Sequence, residues 1–310
     1  MTKSVERIVS MLASGTELVC ALGLGEKLVG RSHECDYPAW VKRLPEVSHP
    51  TFDIGGSSRE IDERVRQRVH AGEPLYEVDE TLLAELAPDV LITQTHCEVC
   101  AVSPADFAHA VSAKLQRKQV VALSTGTLDA VQQGFLDVAA LLGRPAEGIA
   151  LVESIRARLA ALELRTRDLR RSTVVCLEWM EPAFAMGNWG PELVELAGGT
   201  NLLGTPGAHS TTTPWSAVRA ADPDVLVIAP CGFGLERTRQ ELHLLAEQPG
   251  WRELRAVRTD RVFIADGNLY FNRSGPSMFE TPAVLAEMLH PREFVPRHQG
   301  SVWERWSASR

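Results

Sequence analysis

Sulfur and imidazole side chains that could bind a metal occupy two short segments in the first half of the chain. Cys97 and Cys100 form a single Cys-x-x-Cys motif, and His96 precedes it. A structural zinc site usually takes a second such pair, which the sequence lacks, and thioredoxin chemistry takes a pair that opens a helix of that fold. His33 and Cys35 follow a neighbouring predicted strand. The sequence therefore predicts a metal site of Cys97, Cys100, His96 and His33, or else thiols that are buried small hydrophobes or line a pocket.

Aromatic side chains gather in the segments that follow the predicted strands. Aromatic residues make up only 6% of the chain, so this concentration favours a shared role. Rings gain contact area by stacking and need few hydrogen bonds, which suits a large, flat, partly apolar ligand. The alternative is that each ring caps the core of its own lobe. The predicted ligand contacts are Trp179, Trp189, Trp215, Tyr270, Phe271 and Phe233, together with His33 and Glu178.

No catalytic signature accompanies these residues. The sequence contains no Gly-x-Ser-x-Gly, no phosphate-binding P-loop and no His-Glu-x-x-His. Glu178 and Glu181 flank Trp179 and Met180. A pair of carboxylates after one strand does not by itself make a general acid and base. We therefore expect a protein that binds a ligand and is not an enzyme.

The elements that must position these residues come in two similar series. Pro88-Asp-Val-Leu-Ile recurs as Pro223-Asp-Val-Leu-Val, and Glu17-Leu-Val recurs as Glu192-Leu-Val, each time with a glycine four residues on. Internal repeats reveal architecture. Strands alternate with helices in both series, which predicts an α/β protein of two Rossmann-like lobes with parallel sheets. Ligands of such sheets bind beyond the carboxyl ends of the strands.

The same patterns divide the chain into four parts. We predict an amino-terminal α/β lobe at 1–126, a helical connector at 127–171, a carboxy-terminal α/β lobe at 172–290 and a polar tail at 291–310. Turn-forming residues and a charged amphipathic helix mark residues 45–78 as an insertion in the first lobe. Because a long helix is a stiff link, the lobes should close only slightly on a ligand.

Composition and charge narrow the function class. The 310 residues are 45% hydrophobic and 23% charged, which is typical of a globular protein, and the net charge of −8 argues against a nucleic-acid partner. No apolar run has the length of a membrane span. The opening residues are unlike a secretory leader, because their apolar run is short and contains Ser10. The sequence predicts a cytoplasmic protein with reduced thiols, or a periplasmic or extracytoplasmic one if a leader is missing.

Several of these segments resemble a known family. They are the segments that begin Arg7-Ile-Val-Ser-Met-Leu-Ala-Ser-Gly-Thr, Leu28-Val-Gly-Arg-Ser-His-Glu-Cys-Asp-Tyr-Pro and Pro191-Glu-Leu-Val-Glu-Leu-Ala-Gly-Gly. They resemble the class III periplasmic-binding-protein-like domain, also described as the helical-backbone metal receptor, and within it the cobalamin-binding, vitamin B12 receptor-like proteins of ABC transporters. The resemblance covers about residues 5–290. It implies two lobes joined by one long helix, with a ligand clamped between them.

The resemblance also implies a function and partners. The ligand would be cobalamin, another corrinoid or a similar tetrapyrrole or metal chelate, held by aromatic side chains of both lobes. An ABC transporter permease would dock on one acidic residue of each lobe. Glu98 lies in about the right loop for the first acid, whereas Arg219 stands near the place of the second and Asp222 is the next carboxylate. Two other hypotheses are a metal-handling or thiol redox protein that uses Cys97 and Cys100, and an exported importer receptor.

Overall fold

The computed structural model describes residues 5–94, 119–123 and 126–307, which form two α/β lobes. Each lobe is built on its own sheet, and the central strands of both sheets are parallel. Short apolar strands alternate with helices in each lobe, and this alternation produces parallel pairing because a helix carries the chain back across the sheet. The predicted α/β class with two lobes and parallel sheets is confirmed.

The amino-terminal sheet has β1 at its centre. The strands of this lobe are β1 Ile8–Ser10, β2 Leu28–Arg31, β3 Ser48–Pro50, β4 Tyr76–Val78, β5 Val90–Gln94 and β6 Gln119–Leu123. Their order is β2-β1-β5-β6, all parallel, while β3 and β4 form a separate antiparallel pair. All three residues of β1 are buried, as expected for a parallel strand covered on both faces.

The carboxy-terminal sheet is larger and carries antiparallel strands at its edges. Its strands are β7 Ser172–Trp179, β8 Phe184–Ala185, β9 Gly199–Asn201, β10 Thr211–Thr212, β11 Val225–Ile228, β12 Val262–Ala265 and β13 Trp303–Trp306. The order is β10-β8-β7-β11-β12-β13, and β9 also pairs with β7. The segment predicted as a polar tail therefore supplies β13, which pairs antiparallel with β12. Trp303 is buried there, and its Nε1 donates to Glu287 Oε2 at 2.8 Å.

Helices cover the sheets and connect the lobes. They are α1 Ala13–Ala21, α2 Ser58–Ala71, α3 Glu80–Leu86, α4 Leu128–Leu141, α5 Pro145–Thr166, α6 Gly190–Leu196, α7 Trp215–Ala221, α8 Leu235–Glu241, α9 His243–Ala246, α10 Arg255–Arg258 and α11 Thr281–Leu289. The connector consists of α4 and the long α5, which pack on each other. One apolar cluster runs from Ile8 of the first sheet through Phe135 and Val152 of the connector to Val174 of the second sheet. No helix in the described part of the chain combines the length and apolar character needed to cross a membrane.

The insertion in the first lobe consists of the β3–β4 pair and α2. A capping box starts α2: the Ser57 hydroxyl accepts from the Glu60 N–H, and the Glu60 carboxylate accepts from the Ser57 N–H at 2.8 Å. The helix ends at Gly72, whose φ of 67° is one that glycine adopts without strain. Only Ser58 among its 14 residues is buried. Polar contacts at one end, more than an apolar face, therefore hold α2 in place.

Candidate functional site

The two lobes meet where the segments that follow β2 and β12 contact each other. Arg273 Nη1 lies 2.6 Å from Asp36 Oδ1, and Asn268 Nδ2 donates to Asp36 Oδ2 at 2.9 Å. Arg273 also donates to the main-chain oxygen of Glu34 at 3.3 Å. Asp36 and Glu34 belong to the amino-terminal lobe, whereas Arg273 and Asn268 belong to the carboxy-terminal lobe. These contacts join the carboxyl ends of the two sheets, the side on which such sheets bind ligands.

The ion pair at this contact is shielded from solvent mainly on its arginine side, because the Asp36 side chain stays 30% exposed. The Arg273 side chain is only 10% exposed. Burial by itself would raise the pKa of Asp36, but the hydrogen bond and the charge of Arg273 outweigh it, so the pKa of Asp36 is lowered. Asp36 is therefore ionised and neutralises Arg273. The guanidinium has little uncompensated charge to offer a ligand.

Two further carboxyls, one from each lobe, lie close to the Cys231 thiol, and we name Glu34 and Glu178 the cleft carboxyls. Glu34 follows β2, Glu178 ends β7 together with Trp179, and Cys231 follows β11. Burial raises the pKa of Cys231 to about 12, and the charges of Glu178 and Glu34 add to the rise, so both carboxyls act on this thiol. The Cys231 N–H also donates to the main-chain oxygen of Glu178 at 2.9 Å.

The three groups combine exposure to solvent with desolvation by neighbouring protein atoms. Cys231 is open to solvent, and both cleft carboxyls are partly so, yet protein atoms crowd around all three. This crowding is the main reason that the pKa of each cleft carboxyl is raised to about 7. A hydrogen bond from Ser210 partly offsets the rise at Glu178. The two carboxyls are therefore partly desolvated, although solvent still reaches each of them.

A second contact between the lobes involves α1. Glu17 is buried, its Oε1 accepts from the Ser277 N–H, and its Oε2 has no hydrogen-bond partner. Burial is the main cause that raises the pKa of Glu17. Ser14 and Ser274 face each other beside it, with 3.4 Å between their hydroxyl oxygens. The amino terminus of α1 therefore packs directly on the carboxy-terminal lobe.

One pair of the predicted aromatic contacts lies together at the ends of β7 and β11. The ring centroids of Trp179 and Phe233 are 5.2 Å apart. The Arg237 guanidinium covers the other side of Phe233, at 3.8 Å from the ring centroid, and Phe233 is buried. The Trp179 Nε1 is buried and has no hydrogen-bond partner. Trp179 is thus the more open member of this pair.

The other two predicted indoles have different neighbours. The Trp215 Nε1 donates to the main-chain oxygen of Pro249 at 2.9 Å, and its ring stacks on Trp251 at 6.0 Å between centroids. Trp189 is buried and donates to the main-chain oxygen of Phe271 at 2.9 Å, and Phe271 is fully buried. The three indoles therefore do not form one stacked wall in this conformation. Their contact with a ligand stays a prediction.

Tyr270 and His33 lie in different parts of the molecule. Tyr270 is partly exposed in the segment after β12, and burial followed by the charge of Tyr37 raises its pKa. His33 faces the insertion: its Nδ1 lies 3.2 Å from Ser48 Oγ, and its ring centroid lies 5.1 Å from that of Tyr76. Burial is the main cause that lowers the pKa of His33. Tyr270 is thus beside the lobe contact, whereas the His33 ring points towards β3 and β4.

Helix α2 docks on the carboxy-terminal lobe beside the cleft. The Ser58 N–H donates to Glu241 Oε2 at 2.6 Å, and Arg59 and Glu181 form an ion pair at 2.5 Å. Ile61 packs against the apolar core of that lobe. A cavity of about 530 Å³ lies between the helix and the lobe. Its lining includes Arg59, Asp62, Arg66, Glu181, Trp215 and Gln248.

Most residues of the predicted metal site lie outside the part of the chain that the structure describes. Cys97, Cys100, His96 and Glu98 all lie outside the described residues. Within residues 5–94, 119–123 and 126–307, no group of three or more His, Cys, Asp or Glu side chains is arranged to hold a metal ion. The proposed set of sulfur and imidazole ligands therefore stays a prediction.

Sequence reasoning missed the residues that join the lobes. Glu34 and Asp36 flank Cys35, in a segment whose histidine and thiol are the residues that suggest chemistry. Cys35 itself is buried against the Thr16 hydroxyl, 3.0 Å away. Arg273 stands beyond the end of β12 and has no motif around it. The sequence signal that could have identified these residues is the pair of opposite charges after β2 and after β12. The topology brings both of those segments to the same side of the sheets.

Comparison with known proteins relates this geometry to a family. The model of the family described as periplasmic binding protein matches residues 8–269. The uncharacterized ABC transporter substrate-binding lipoprotein YvrC of Bacillus subtilis is 22% identical over 306 residues, covering 94% of this chain and 82% of the relative. The vitamin B12-binding protein of Vibrio cholerae is 24% identical over 282 residues, covering 87% and 84%.

Solved structures share the fold along almost the whole chain. The periplasmic heme-binding protein from Pseudomonas aeruginosa superimposes with a TM-score of 0.69 at 23% identity, covering 93% of this chain and 94% of that one. The family match likewise extends from β1 to the segment that follows β12. The two lobes meet at the carboxyl ends of parallel sheets, and the family model matches most of the chain. The chain therefore belongs to the periplasmic binding protein family.

Proposed function

We propose that this chain is the solute-binding protein of an ABC-type importer, and that it holds a corrinoid or a similar tetrapyrrole in the cleft between its lobes. Proteins of this family bind solutes, so binding is the function class of the chain. The observation that carries the proposal is the contact of Asp36 with Arg273 across the lobes, beside the exposed Cys231. A cleft at this place suits a ligand that both lobes touch at once.

The relatives support the ligand class. One is named for binding vitamin B12 and another for binding heme, and both of these ligands are large flat macrocycles with a central metal. The Trp179 indole, partly open beside the cleft carboxyl Glu178, supports stacking on such a ring. Cys97 and Cys100, on which the metal-handling or thiol redox alternative depends, lie outside the described residues.

The relatives also bear on location and partners. The expected cytoplasmic location is not supported, because the B. subtilis relative is a substrate-binding lipoprotein and the family is that of periplasmic binding proteins. We therefore propose an extracytoplasmic protein that delivers its ligand to a membrane permease. Fractionation of producing cells tests the location: protein found only in the soluble cytoplasm would contradict this part of the proposal.

Ligand binding is tested with purified protein and three coloured or calorimetrically active ligands. Cyanocobalamin, hydroxocobalamin and haemin are added separately, the excess is removed by desalting, and the absorbance spectrum is compared with calorimetric titration. We expect a corrinoid spectrum that stays with the protein at one ligand per chain. Colourless protein without binding heat for any of the three would overturn the proposed ligand class.

A further inference from the structure

The cavity beneath α2 lies on the ligand side of the carboxy-terminal sheet. Its volume is about 530 Å³, which is within the range of small-molecule pockets. Glu181, Pro182 and Ala183 line it, and these residues follow the carboxyl end of β7. Ligands of parallel sheets bind beyond the carboxyl ends of the strands. The cavity therefore lies where this fold receives a ligand, although α2, which forms its other wall, comes from the amino-terminal lobe.

The wall that the carboxy-terminal lobe supplies is the apolar one. Among the described residues, the apolar part of the lining consists of Pro182, Ala183, Pro214 and Trp215. The Trp215 ring stacks on Trp251, with 6.0 Å between the centroids, and its Nε1 donates to a main-chain oxygen. The indole is thus held in place before any ligand arrives, which lowers the entropic cost of binding. This wall suits the apolar face of a ligand.

The wall that α2 supplies is charged. The described residues of α2 in the lining are Arg59, Asp62, Glu63 and Arg66. The Arg66 Nε pairs with Asp62 at 2.6 Å, and its Nη2 lies 3.5 Å from Thr212 Oγ1 on the opposite wall. A guanidinium has five N–H donors, and these two contacts engage only part of them. Arg66 therefore reaches across the cavity and is placed to donate to a hydrogen-bond acceptor of a ligand.

We propose that this cavity is part of the ligand site and that α2 is its lid, with the ligand packing an apolar face on the wall of the carboxy-terminal lobe and presenting hydrogen-bond acceptors of its edge to Arg66. This inference rests on the proposed function, because the ligand is the solute of the same cleft. A corrinoid has both features, a flat ring and amide carbonyl groups around its edge. The inference adds a binding residue and a moving element, both in the insertion of the first lobe.

The two ends of α2 are attached to different lobes, as a lid requires. At the carboxy-terminal end, Arg68 donates to the main-chain oxygen of Thr51, next to β3 in the amino-terminal lobe, at 2.7 Å. At the other end, the Ser58 N–H donates to Glu241 of the carboxy-terminal lobe at 2.6 Å. Only Ser58 of the helix is buried, so undocking this end exposes little apolar area. A ligand that contacts both walls stabilises the docked helix.

Hydrogen exchange over residues 58–71, read by mass spectrometry, tests the lid in the unchanged full-length protein. Saturating cyanocobalamin should slow exchange there by about tenfold or more, because a ligand that binds only the docked state lowers the population of the undocked state. Saturation is checked by the corrinoid spectrum that stays with the protein after desalting. Retained corrinoid together with unchanged exchange in α2 would overturn the inference and leave the proposed function standing.

Substitution of Arg66 tests the contact with the ligand. The Arg66 side chain is 57% exposed, so Arg66→Ala should leave the fold intact. It should weaken cyanocobalamin binding by about tenfold in calorimetric titration, because a hydrogen bond from a charged donor is lost. Gln67→Ala, at the neighbouring exposed position outside the lining, should bind as the unchanged protein does.

The remaining outcomes separate the lid from the proposed function. Unchanged affinity in Arg66→Ala, or equal losses in Arg66→Ala and Gln67→Ala, would contradict the assigned contact while corrinoid binding itself stands. If the unchanged protein retains no corrinoid, the proposed corrinoid function fails, and the inference fails with it.

Discussion

At the scale of single residues, the cleft combines one ion pair that spans the lobes with two carboxyls whose pKa is raised. Asp36 and Arg273 compensate each other across the lobes, and the pKa of Asp36 is lowered. At Glu34 the charge of Arg273, and at Glu178 the hydrogen bond from Ser210, only partly offset burial, so the pKa of each is raised to about 7. An ionised carboxylate that is poorly solvated and unpaired costs folding free energy. The ligand site is therefore expected to be built at the expense of stability, as binding sites often are.

This cost predicts a pH dependence of stability. The ordinary glutamate pKa of 4.5 applies in the unfolded chain, whereas the folded protein holds these protons up to a pKa of about 7. The stabilising contribution is present at low pH and is lost as the pH rises through this window, because the folded state then binds more protons than the unfolded state. Glu34→Gln/Glu178→Gln should raise the free energy of unfolding by about 1–3 kcal/mol near pH 8 and by much less near pH 5.

Urea unfolding of both proteins at the two pH values measures this effect. The exposed substitution Glu153→Gln serves as the control, since it removes a carboxyl without any change in burial. The same gain at both pH values, or no gain at either, would show that the cleft carboxyls are not held with raised pKa values.

At the scale of elements, α2 belongs to one lobe by sequence and to the other by contact. The β3–β4 pair ties it to the amino-terminal lobe, and β3 and β4 are only three residues long each. Its amino-terminal end is held by the carboxy-terminal lobe, through Glu241 and Glu181. A helix that is mostly exposed has little apolar area to fix it. These few polar contacts should therefore control how firmly α2 bridges the lobes.

Arg237 tests this arrangement. It donates to the main-chain oxygens of Ile54 and Gly56, at 3.3 and 3.0 Å, and covers the ring of Phe233. Arg237→Ala should leave the start of α2 undocked and speed amide hydrogen exchange in the helix by about tenfold, which corresponds to about 1.4 kcal/mol of local opening free energy. Hydrogen exchange read by mass spectrometry over residues 58–71 measures the effect.

A matched control lies on the same helix. Arg239, also in α8, forms ion pairs with Glu304 at 2.8 Å and with Glu236, and none of these partners lies in the insertion. Arg239→Ala should therefore leave exchange in α2 unchanged. Equal acceleration by both substitutions would mean that α2 responds to the general loss of an arginine on α8 and not to its own docking contact.

At the scale of the whole molecule, the connector packs against the cores of both lobes. The α4 and α5 helices pack on each other, and a single apolar cluster joins them to both sheets. Moving one lobe as a rigid unit would require this cluster to shear, whereas a flexible linker would permit it at little cost. The contacts of α1, α2 and Asp36 with the carboxy-terminal lobe add to the same restraint.

Small closure on binding is the expected consequence. X-ray scattering curves of the protein with and without saturating cyanocobalamin should nearly superimpose, because the rigid connector allows only limited rotation of the lobes. Saturation is established by the retained corrinoid spectrum of the same sample. A clear decrease of the radius of gyration on binding would contradict the prediction and would place a hinge within the connector or in the contacts beside it.

Local patterns in the sequence were enough to predict the architecture. Apolar periodicity and the repeated Pro88 and Pro223 junctions are properties of short segments, and they determine the alternation of strands and helices and hence the parallel sheets. They also mark residues 45–78 as an insertion and point to the segments after the strands as the ligand side. The family follows from the same short segments, through their resemblance to known binding proteins.

Only the tertiary structure decided which of those segments meet and which side chains remain open. Asp36 and Arg273 are 237 residues apart, and their pairing depends on how two separately formed sheets face each other. Packing likewise buries Trp189 and Phe271 and leaves Glu34 and Glu178 beside solvent, although all four follow or precede strands in similar ways. Trp303–Trp306, which reads as a polar tail, becomes an edge strand because β12 offers it unpaired backbone groups. Burial and pairing depend on partners distant in the chain, and local periodicity carries no information about them.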